Sequence, residues 1–346
     1  MPDLIDAQRA ELLRRERTTA TRLVKEYGRI YANLQGEIEA LNAELAAMVN
    51  PTPGKLRKMA RFLALRERIE AELTRYGAWA DTEITAAASD VAQMAPGLAR
   101  QLALADLPPE LRAIIEAAWT HLPTATVQEL LTMLAPGSPL HQALVTDLGP
   151  TIAKAVEEAL LDGIALGFNP RKVAAIIRRT LGQGLSWALR TSRTSMLYAH
   201  RQATLASYRA NASIVRGWIW HAELGPRTCM ACIAQHGTEH TLDETLNDHH
   251  NGRCAMVPKT ISWADLGFTG IPERAPMQTG REWFEKLSPA QQAAMFENKA
   301  MYRAWQKGAI GWDDLIGEHD DAVYGKMLQL PSLKALLGDG ASAYYQ

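Results

Sequence analysis

All three cysteines of the chain lie in one window of sequence, residues 229–254, together with four of its nine histidines. Cys229 and Cys232 enclose two residues, and His249 and Cys254 enclose four. Three thiolates and one imidazole form one of the standard tetrahedral ligand sets for structural Zn²⁺. The spacing therefore predicts a metal site with the ligands Cys229, Cys232, His249 and Cys254. We call residues 229–254 the Cys/His knuckle.

The knuckle holds more histidines than a four-ligand site needs. His249 and His250 are adjacent, so only one of them is expected to bind, and His250 is the alternate ligand. His236 and His240, on the intervening loop, are weaker candidates. Four protein ligands would leave no open position on the metal for water or substrate. We therefore expect a structural Zn²⁺ that holds a small β module which could not otherwise bury enough surface.

Three other interpretations of the knuckle stay open. One is a disulfide between Cys229 and Cys232 with Cys254 free, and another is a cluster without metal. The third is an HNH-like metal-dependent nuclease, because Asp248-His249-His250-Asn251 resembles a site in which a histidine activates water and a metal neutralises phosphate charge. Such nucleases add a further histidine on a helix just downstream, whereas the next histidine here is His319. We therefore expect that the protein is not an enzyme.

Composition narrows the class of protein. A chain of 346 residues with 47% apolar residues is expected to form two or three folded parts. Its formal net charge of −1 provides no overall attraction to nucleic acid or to a membrane surface. The charged start of the chain predicts no signal peptide, and no apolar run approaches the roughly 18 residues of a membrane-spanning helix. An odd number of cysteines favours a reducing cytosol over a disulfide framework.

The elements before the knuckle are predicted to be helical. Two rows of apolar residues at helical spacing flank the helix-breaking stretch Asn50-Pro51-Thr52-Pro53-Gly54. They predict a long N-terminal helical hairpin over residues 1–82, with a coiled-coil-like seam. The first row is Tyr27, Tyr31, Leu34, Ile38, Leu41, Leu45 and Met48, and the second is Leu56, Met59, Phe62, Leu65, Ile69, Leu73 and Tyr76.

A basic run from Lys55 to Arg68 follows the turn of this hairpin. Acidic residues lie close behind it, so we interpret it as a solvated face, with a DNA-binding surface as the alternative. Residues 83–149 are predicted to be a linker region of short helices, separated at Pro96-Gly97, at Leu107-Pro108-Pro109 and at Ala135-Pro136-Gly137.

The elements that position the knuckle follow Asn169-Pro170, a typical helix start. This helix is expected to end at Gly182 and Gly184, and a second one to run from Leu185 to about Asn211. The alternation in VRGWIWHAE then predicts a strand, with Trp218 and Trp220 in the core on opposite faces. Residues 276–346 are predicted to form a C-terminal helical extension that contains a capping box at Ser288. The fold class is therefore mainly α with a small β zinc-knuckle-like module.

The order of these motifs resembles the phage minor head proteins of the Mu gpF and SPP1 gp7 type, also called head morphogenesis proteins. That family pattern is a helix with an Arg-Thr-(Glu/Ser) element, an aromatic strand, Arg-Thr-Cys-x-x-Cys, a glycine, a variable loop and His-Pro-x-Cys-Arg-Cys before a proline. The matches here are Arg193-Thr194-Ser195, Trp218 and Trp220, Arg227 to Cys232, Gly237, and His249 to Cys254 with Pro258. His250 replaces the proline of the pattern, and Gly252 replaces a cysteine.

The resemblance implies a head-morphogenesis (Mu F-like) domain over residues 150–262. It also implies a structural minor capsid protein that acts in head morphogenesis at the portal vertex, with DNA packaging or ejection as a further role. Such a protein is made in the bacterial host cytoplasm and resides in the virion. Its partners would be the portal protein, the scaffold or major capsid protein, and packaged double-stranded DNA, with no membrane. Arg193 is interpreted as a structural arginine, with a portal contact as the alternative, and a DNA-binding internal head protein is a second alternative for the whole chain.

Overall fold

The computed structural model describes residues 2–267, 275–296 and 298–345. Its fold is mainly α, as predicted, because 67% of the residues are helical and the strands are few and small. Two compact units can be distinguished: one comprises Met1–Ala10, Asp90–Leu130 and Leu197–Gln346, and the other Glu11–Ser89 and Leu131–Met196. None of the helices within the described ranges has both the length and the apolar character that a membrane crossing needs.

The second unit contains most of the predicted N-terminal hairpin. Helix α1 (Pro2–Ala47) ends before the two prolines, and a short helix α2 (Pro53–Leu56) is capped by the Thr52 side chain, which accepts from the backbone N–H of Lys55. Helix α3 (Ala60–Asp106) returns. All seven residues of the second predicted row are buried, and so are five of the first: Tyr27, Leu34, Ile38, Leu41 and Leu45. The apolar rows therefore identified the packed faces of both helices.

The second half of the basic run of this hairpin is paired with acidic residues. Arg61 lies 2.9 Å from a carboxylate oxygen of Glu44, and Arg68 pairs with Glu37. The ammonium group of Lys55 donates to the carbonyl oxygens of Val49 and Asn50. These pairs are typical of a solvated face whose charges are balanced within the unit.

Helix α3 corrects the prediction that helices break at Pro96-Gly97. Pro96 lies inside the helix, which continues to Asp106, so its last part occupies the start of the predicted linker region. Ala92, Ala95 and Ala99 around it are fully or almost fully buried. Burial of this small-residue face stabilises the helix against the lost N–H donor of Pro96. Short helices then follow: α4 (Pro109–Ala118), α5 (Thr124–Glu129), α6 (Pro139–Gln142) and a π-helical turn (Ala143–Asp147).

Helices α7 (Leu148–Ala165) and α8 (Pro170–Ala210) follow. Helix α8 begins where predicted, and the side-chain oxygen of Asn169 accepts a hydrogen bond from the Lys172 N–H at 3.0 Å. The expected break at Gly182 and Gly184 is wrong, because α8 is one continuous helix. A Cβ atom at Gly184 would lie 3.0 Å from the hydroxyl oxygen of Tyr27 on helix α1, so this glycine allows the two helices to pack closely. It is therefore a packing residue and does not end the helix.

A three-stranded antiparallel sheet carries the knuckle. It consists of β1 (Val215–His221), β2 (Glu239–His240) and β3 (Ala255–Thr260) in the order β2-β1-β3, and helix α9 (Met230–Gln235) lies between β1 and β2 in sequence. Strand β1 confirms the predicted strand. Trp218 and Trp220 are both buried, but their placement on opposite faces is wrong: their ring centroids lie 6.1 Å apart. Residues two apart in a strand point to the same face.

The C-terminal region is only partly helical, which corrects the prediction of a helical extension. Its helices are α10 (Gly280–Glu285), α11 (Pro289–Met295), α12 (Lys299–Gln306) and α13 (Leu333–Leu337), and the capping box at Ser288 is present. Between α12 and α13 lies an antiparallel hairpin of β4 (Gly317–Asp321) and β5 (Gly325–Gln329). Strand β4 is polar and shows no alternation of apolar residues, which is why the sequence did not predict it. Its partner strand β5 is bonded to the knuckle, because the Leu328 N–H donates to the Asn247 carbonyl oxygen at 2.7 Å.

Candidate metal centre

The first two candidate ligands are held by the start of helix α9. Cys229 is its N-cap residue, and its Sγ accepts a hydrogen bond from the backbone N–H of Cys232 at 3.3 Å. Cys232 is buried in the first turn, and all three cysteines of the chain are free thiols, so the alternative of a Cys229–Cys232 disulfide is not what forms. The cap geometry brings both sulfur atoms to the same end of one helical turn.

His249 approaches these sulfurs from the returning loop. Its Nε2 lies 3.3 Å from Cys229 Sγ. Its Nδ1 lies 2.8 Å from the backbone carbonyl of His250, and since a carbonyl only accepts, Nδ1 is the donor. A second ring nitrogen that donates to a carbonyl is the usual way in which a metal-binding histidine is oriented. His249 is therefore presented to the sulfurs through Nε2.

His250 lies on the other side of the loop. Its Nε2 is 3.1 Å from a carboxylate oxygen of Asp321, and its ring meets Tyr324 edge-on with centroids 5.7 Å apart. The weaker candidates also lie elsewhere: His236 accepts from the Ala222 N–H at 3.0 Å, and His240 stacks on Trp218 at 4.1 Å. Of the four histidines in the knuckle, only His249 is placed against the cysteines.

The candidate ligands form two overlapping groups whose donor atoms lie within 4.8 Å of one another. The first group is Cys229, Cys232 and His249, and the second is Cys232, Cys254 and Asp248. Cys232 belongs to both groups and so links Cys229 and His249 with Cys254, and Asp248 adds a carboxylate that was not predicted as a ligand. Thiolates with an imidazole are a set that binds soft or borderline divalent metals, so these residues could hold a metal ion.

Asp248 is the buried centre of the knuckle. One of its oxygens, Oδ1, accepts from the His249 N–H at 2.8 Å and lies 3.4 Å from Cys232 Sγ. The other, Oδ2, accepts from the Cys254 N–H at 3.0 Å and from Arg201 Nη2 at 2.8 Å. Burial opposes ionisation of Asp248, but the charges of Arg201 and His249, together with the hydrogen bonds from Cys254 and Cys232, outweigh it and hold the pKa of this carboxyl below its ordinary value.

Arg201 of helix α8 connects this carboxylate to the backbone of the returning loop. Its guanidinium also donates to the carbonyl oxygens of Gly252 and Cys254 at distances of 2.9–3.1 Å. Arg201 and Asp248 are both buried. A planar guanidinium with several donors suits such a site, where one side chain satisfies several acceptors. The long helix thus fixes the position of Cys254 and, through Asp248, of His249.

Gly252 is explained by the same carboxylate. A Cβ atom at this position would lie 2.1 Å from the carboxylate carbon of Asp248 and 2.2 Å from each of its oxygens. The position at which the resemblance expects a cysteine therefore has no room for any side chain while Asp248 occupies the site.

The ionisation of the cluster follows from these contacts. Hydrogen bonds from Cys232 and from His249 lower the pKa of the Cys229 thiol to about 5, against the effect of its burial. The same contact with Cys229 raises the pKa of His249 to about 9. Contacts with Cys229 and Cys254, together with burial, raise the pKa of Cys232 far above its usual range. A metal would bind thiolates and a neutral imidazole, so it would displace the protons that these groups share.

A cavity of about 340 Å³ opens beside the cluster. Cys229, His249 and Cys254 form part of its wall, and Arg227 and Arg253 add positive charge. The candidate metal centre is thus reached from one side.

Other residues of the predicted pattern have structural surroundings. Arg193, half-buried on helix α8, forms an ion pair with Glu16. Thr194 is buried, and its hydroxyl donates to the Arg190 carbonyl at 2.9 Å. Trp218 is fully buried and donates from its indole nitrogen to the Glu244 carbonyl. The interpretation of Arg193 as a structural arginine agrees with its pairing.

The fold and the site together define a small Cys/His β module held against a long basic helix. Residues 154–258 match the family model described as phage Mu protein F like protein, and the predicted resemblance is confirmed over this segment. The match spans helix α8, the whole Cys/His knuckle and the three-stranded sheet except the last two residues of β3. No curated protein and no solved structure matches the chain.

Proposed function

We propose that this chain is a structural minor head protein of a tailed phage that acts in head morphogenesis at the portal vertex. The observation that carries this proposal is the match to phage Mu protein F like proteins over residues 154–258, a segment that indicates a phage head-related protein. Within that segment, the knuckle is braced by hydrogen bonds from Arg201 and Asp248. Such bracing suits a rigid element of an assembly.

In this proposal the metal of the knuckle is Zn²⁺, and its role is structural. Cys229, Cys232, His249 and Cys254 hold it, and the supporting observation is that Cys232 is shared by two neighbouring groups of candidate ligands, which together contain all four residues. Bound zinc would tie the start of helix α9 to the loop that leads into strand β3. Because a metal that binds the folded arrangement stabilises it, zinc would contribute to folding of the module.

The proposed partners follow from the same assignment. They are the portal protein, the scaffold or major capsid protein, and the packaged double-stranded DNA, and the proposed location is the virion after synthesis in the host cytoplasm. The proposed role includes no catalysis. The pairing of Arg61 with Glu44 and of Arg68 with Glu37 gives little support to DNA binding through the Lys55 to Arg68 run.

Quantitative mass spectrometry of purified capsids tests this function. We expect a few copies of the chain per particle, and we expect it in heads that contain the portal and not in heads assembled without it. Absence of the chain from purified particles, while it is abundant in the lysate, would overturn the minor head assignment.

A second candidate, an HNH-like nuclease, has one observation in its favour. The cavity beside His249 is lined by Arg227 and Arg253, which could face a phosphate. The test is nicking of supercoiled plasmid by the purified protein with Mg²⁺, Mn²⁺ or Zn²⁺. Metal-dependent nicking that His249→Ala abolishes, with the variant still folded, would replace the structural proposal with the enzyme. We expect equal, background-level nicking by both proteins.

A further inference from the structure

Helix α8 carries positive charge without any acidic residue. Within Pro170–Ala210 there is no aspartate or glutamate, and there are eight basic residues: Arg171, Lys172, Arg178, Arg179, Arg190, Arg193, Arg201 and Arg209. Arg193 and Arg201 are used in ion pairs with Glu16 and Asp248. Arg179 and Arg190 are exposed and form no ion pair with any residue in the described part of the chain. Their charge is available to a partner.

These two arginines are among the residues that line a groove within the second unit. Its volume is about 730 Å³, and its walls are one face of α8, the π-helical turn (Ala143–Asp147) and the start of α7. The side chains of Leu148, Ile152 and half-buried Trp187 make much of the lining apolar. A π-helical turn is rare and occurs often at functional sites. The groove is thus a concave, largely apolar surface whose lining includes two arginines.

The distance between the two arginines indicates the size of a partner that could bind in the groove. Arg179 and Arg190 are eleven residues apart on α8. At about 1.5 Å per residue, that separation is about 16 Å along the helix axis, or roughly three helical turns of a partner that lies alongside. Tryptophan and arginine are the residue types that contribute most often to binding energy at protein interfaces. A largely apolar lining with two arginines that are separated along the helix matches an amphipathic helix better than a continuous row of phosphates.

We propose that this groove docks an amphipathic helix of another protein, whose apolar stripe packs against Trp187 and Ile152 and whose flanking carboxylates pair with Arg179 and Arg190. Asp147 is the one acidic residue in the lining, and it disfavours a highly charged polyanion. The proposal concerns a surface of the second unit, so it depends neither on metal in the knuckle nor on the head role.

Binding of a designed peptide to the full-length protein tests the proposal. The probe is a fluorescein-labelled helix of about 18 residues with a leucine stripe and two glutamates about 16 Å apart. A second probe carries lysines in place of the glutamates. Fluorescence anisotropy should show that the glutamate probe binds at least about tenfold more tightly, and that Arg179→Gln and Arg190→Gln each weaken it by about tenfold.

Arg178→Gln is the matched control, because Arg178 is the exposed neighbour of Arg179 and does not line the groove. It should leave binding of the glutamate probe unchanged. A second variant, Gly182→Leu, blocks the groove without changing its charge. A Cβ atom at Gly182 meets nothing within 4 Å, so the added side chain should enter the groove while the protein keeps its fold. Binding should be lost, with the circular dichroism spectrum unchanged.

Three results would overturn the proposal. One is equal affinity for the two probes, and another is no binding of the glutamate probe to the wild-type protein at millimolar concentration. The third is tight binding of a DNA duplex that weakens steeply with salt and is lost in Arg179→Gln/Arg190→Gln, since that behaviour belongs to a phosphate-binding surface.

Discussion

Arg201 on helix α8 and Asp248 in the returning loop form a buried ion pair, with Arg201 Nη2 2.8 Å from Asp248 Oδ2. The same guanidinium holds the Gly252 and Cys254 carbonyl oxygens, and the same carboxylate holds the His249 and Cys254 amides. The pair thus connects the long helix to both candidate ligands of the returning loop. Its position explains how the knuckle keeps its shape around the cysteines.

Removal of Arg201 should strongly destabilise the protein. Arg201→Gln leaves the Asp248 charge buried without its partner, and breaking a buried pair in this way costs about 3–5 kcal/mol. Urea unfolding at fixed metal concentration measures the loss in the free energy of unfolding. Arg216→Gln is the control, because exposed Arg216 donates to the Ala212 carbonyl at the surface. A loss below about 1 kcal/mol for Arg201→Gln would contradict the role of the pair.

The two adjacent histidines should differ in their effect on metal content. His249→Ala removes an imidazole that lies 3.3 Å from Cys229 Sγ, so the purified variant should hold less zinc and release it faster to a chelator. His250→Ala removes a contact with Asp321 and should keep the metal while losing about 1 kcal/mol of stability. Elemental analysis by mass spectrometry gives the metal per chain. Metal loss in His250→Ala alone would reverse the assignment.

His200 should make stability depend on acid. Its Nε2 is buried without a hydrogen-bond partner among the described residues, and burial together with Arg201 lowers the pKa of His200 to about 4. The unfolded chain has a His pKa near 6.5, so between about pH 6.5 and 4 it binds more protons than the folded state. The free energy of unfolding should therefore be highest above pH 6.5 and should decrease as the pH is lowered from about 6.5 to 4.

His200→Gln tests that expectation. Removal of the His200 imidazole should reduce the slope of the free energy of unfolding against pH by up to about 1.4 kcal/mol per pH unit relative to the wild-type protein. Both proteins contain the same knuckle, so effects of acid on bound metal are common to the two and cancel in the difference. Parallel curves for the two proteins between pH 6.5 and 4.5 would show that His200 is not the responsible group.

Two glycines of the N-terminal hairpin should respond to alanine with opposite signs. A Cβ atom at Gly77 would lie 1.9 Å from the Leu144 carbonyl oxygen, whereas one at Gly28 meets nothing within 4 Å. Gly77→Ala should therefore destabilise the protein by about 1–3 kcal/mol, and Gly28→Ala should stabilise helix α1 by about 0.5–1 kcal/mol. Thermal unfolding measures both. Shifts of the same sign would argue against close packing at Gly77.

Much of the fold was predictable from local patterns. The apolar rows identified the buried faces of α1 and α3, Asn169 and Ser288 marked helix starts, and the alternation at Val215–His221 marked a strand. Each of these features depends on residues within a few positions of one another. Hydrophobic periodicity, capping and turn chemistry act over such distances, so the sequence alone determined them.

The errors occurred where contacts distant in sequence outweigh local preference. Pro96 and Gly182 lie inside helices because those helices gain more from packing than the two residues cost. Strand β4 is polar, and its hairpin is attached to the knuckle by the bond between Leu328 and Asn247. No short-range pattern distinguishes such a segment from a loop.

For the site, the sequence determined the three cysteines and a histidine at metal-binding spacing, and the tertiary structure decided which groups meet. It set His249 against Cys229 and His250 against Asp321, and it brought Arg201 to Asp248 across 47 residues of sequence. Adjacent histidines have identical local chemistry, and a buried ion pair needs both partners in place before either is desolvated. Only the folded chain supplies that arrangement.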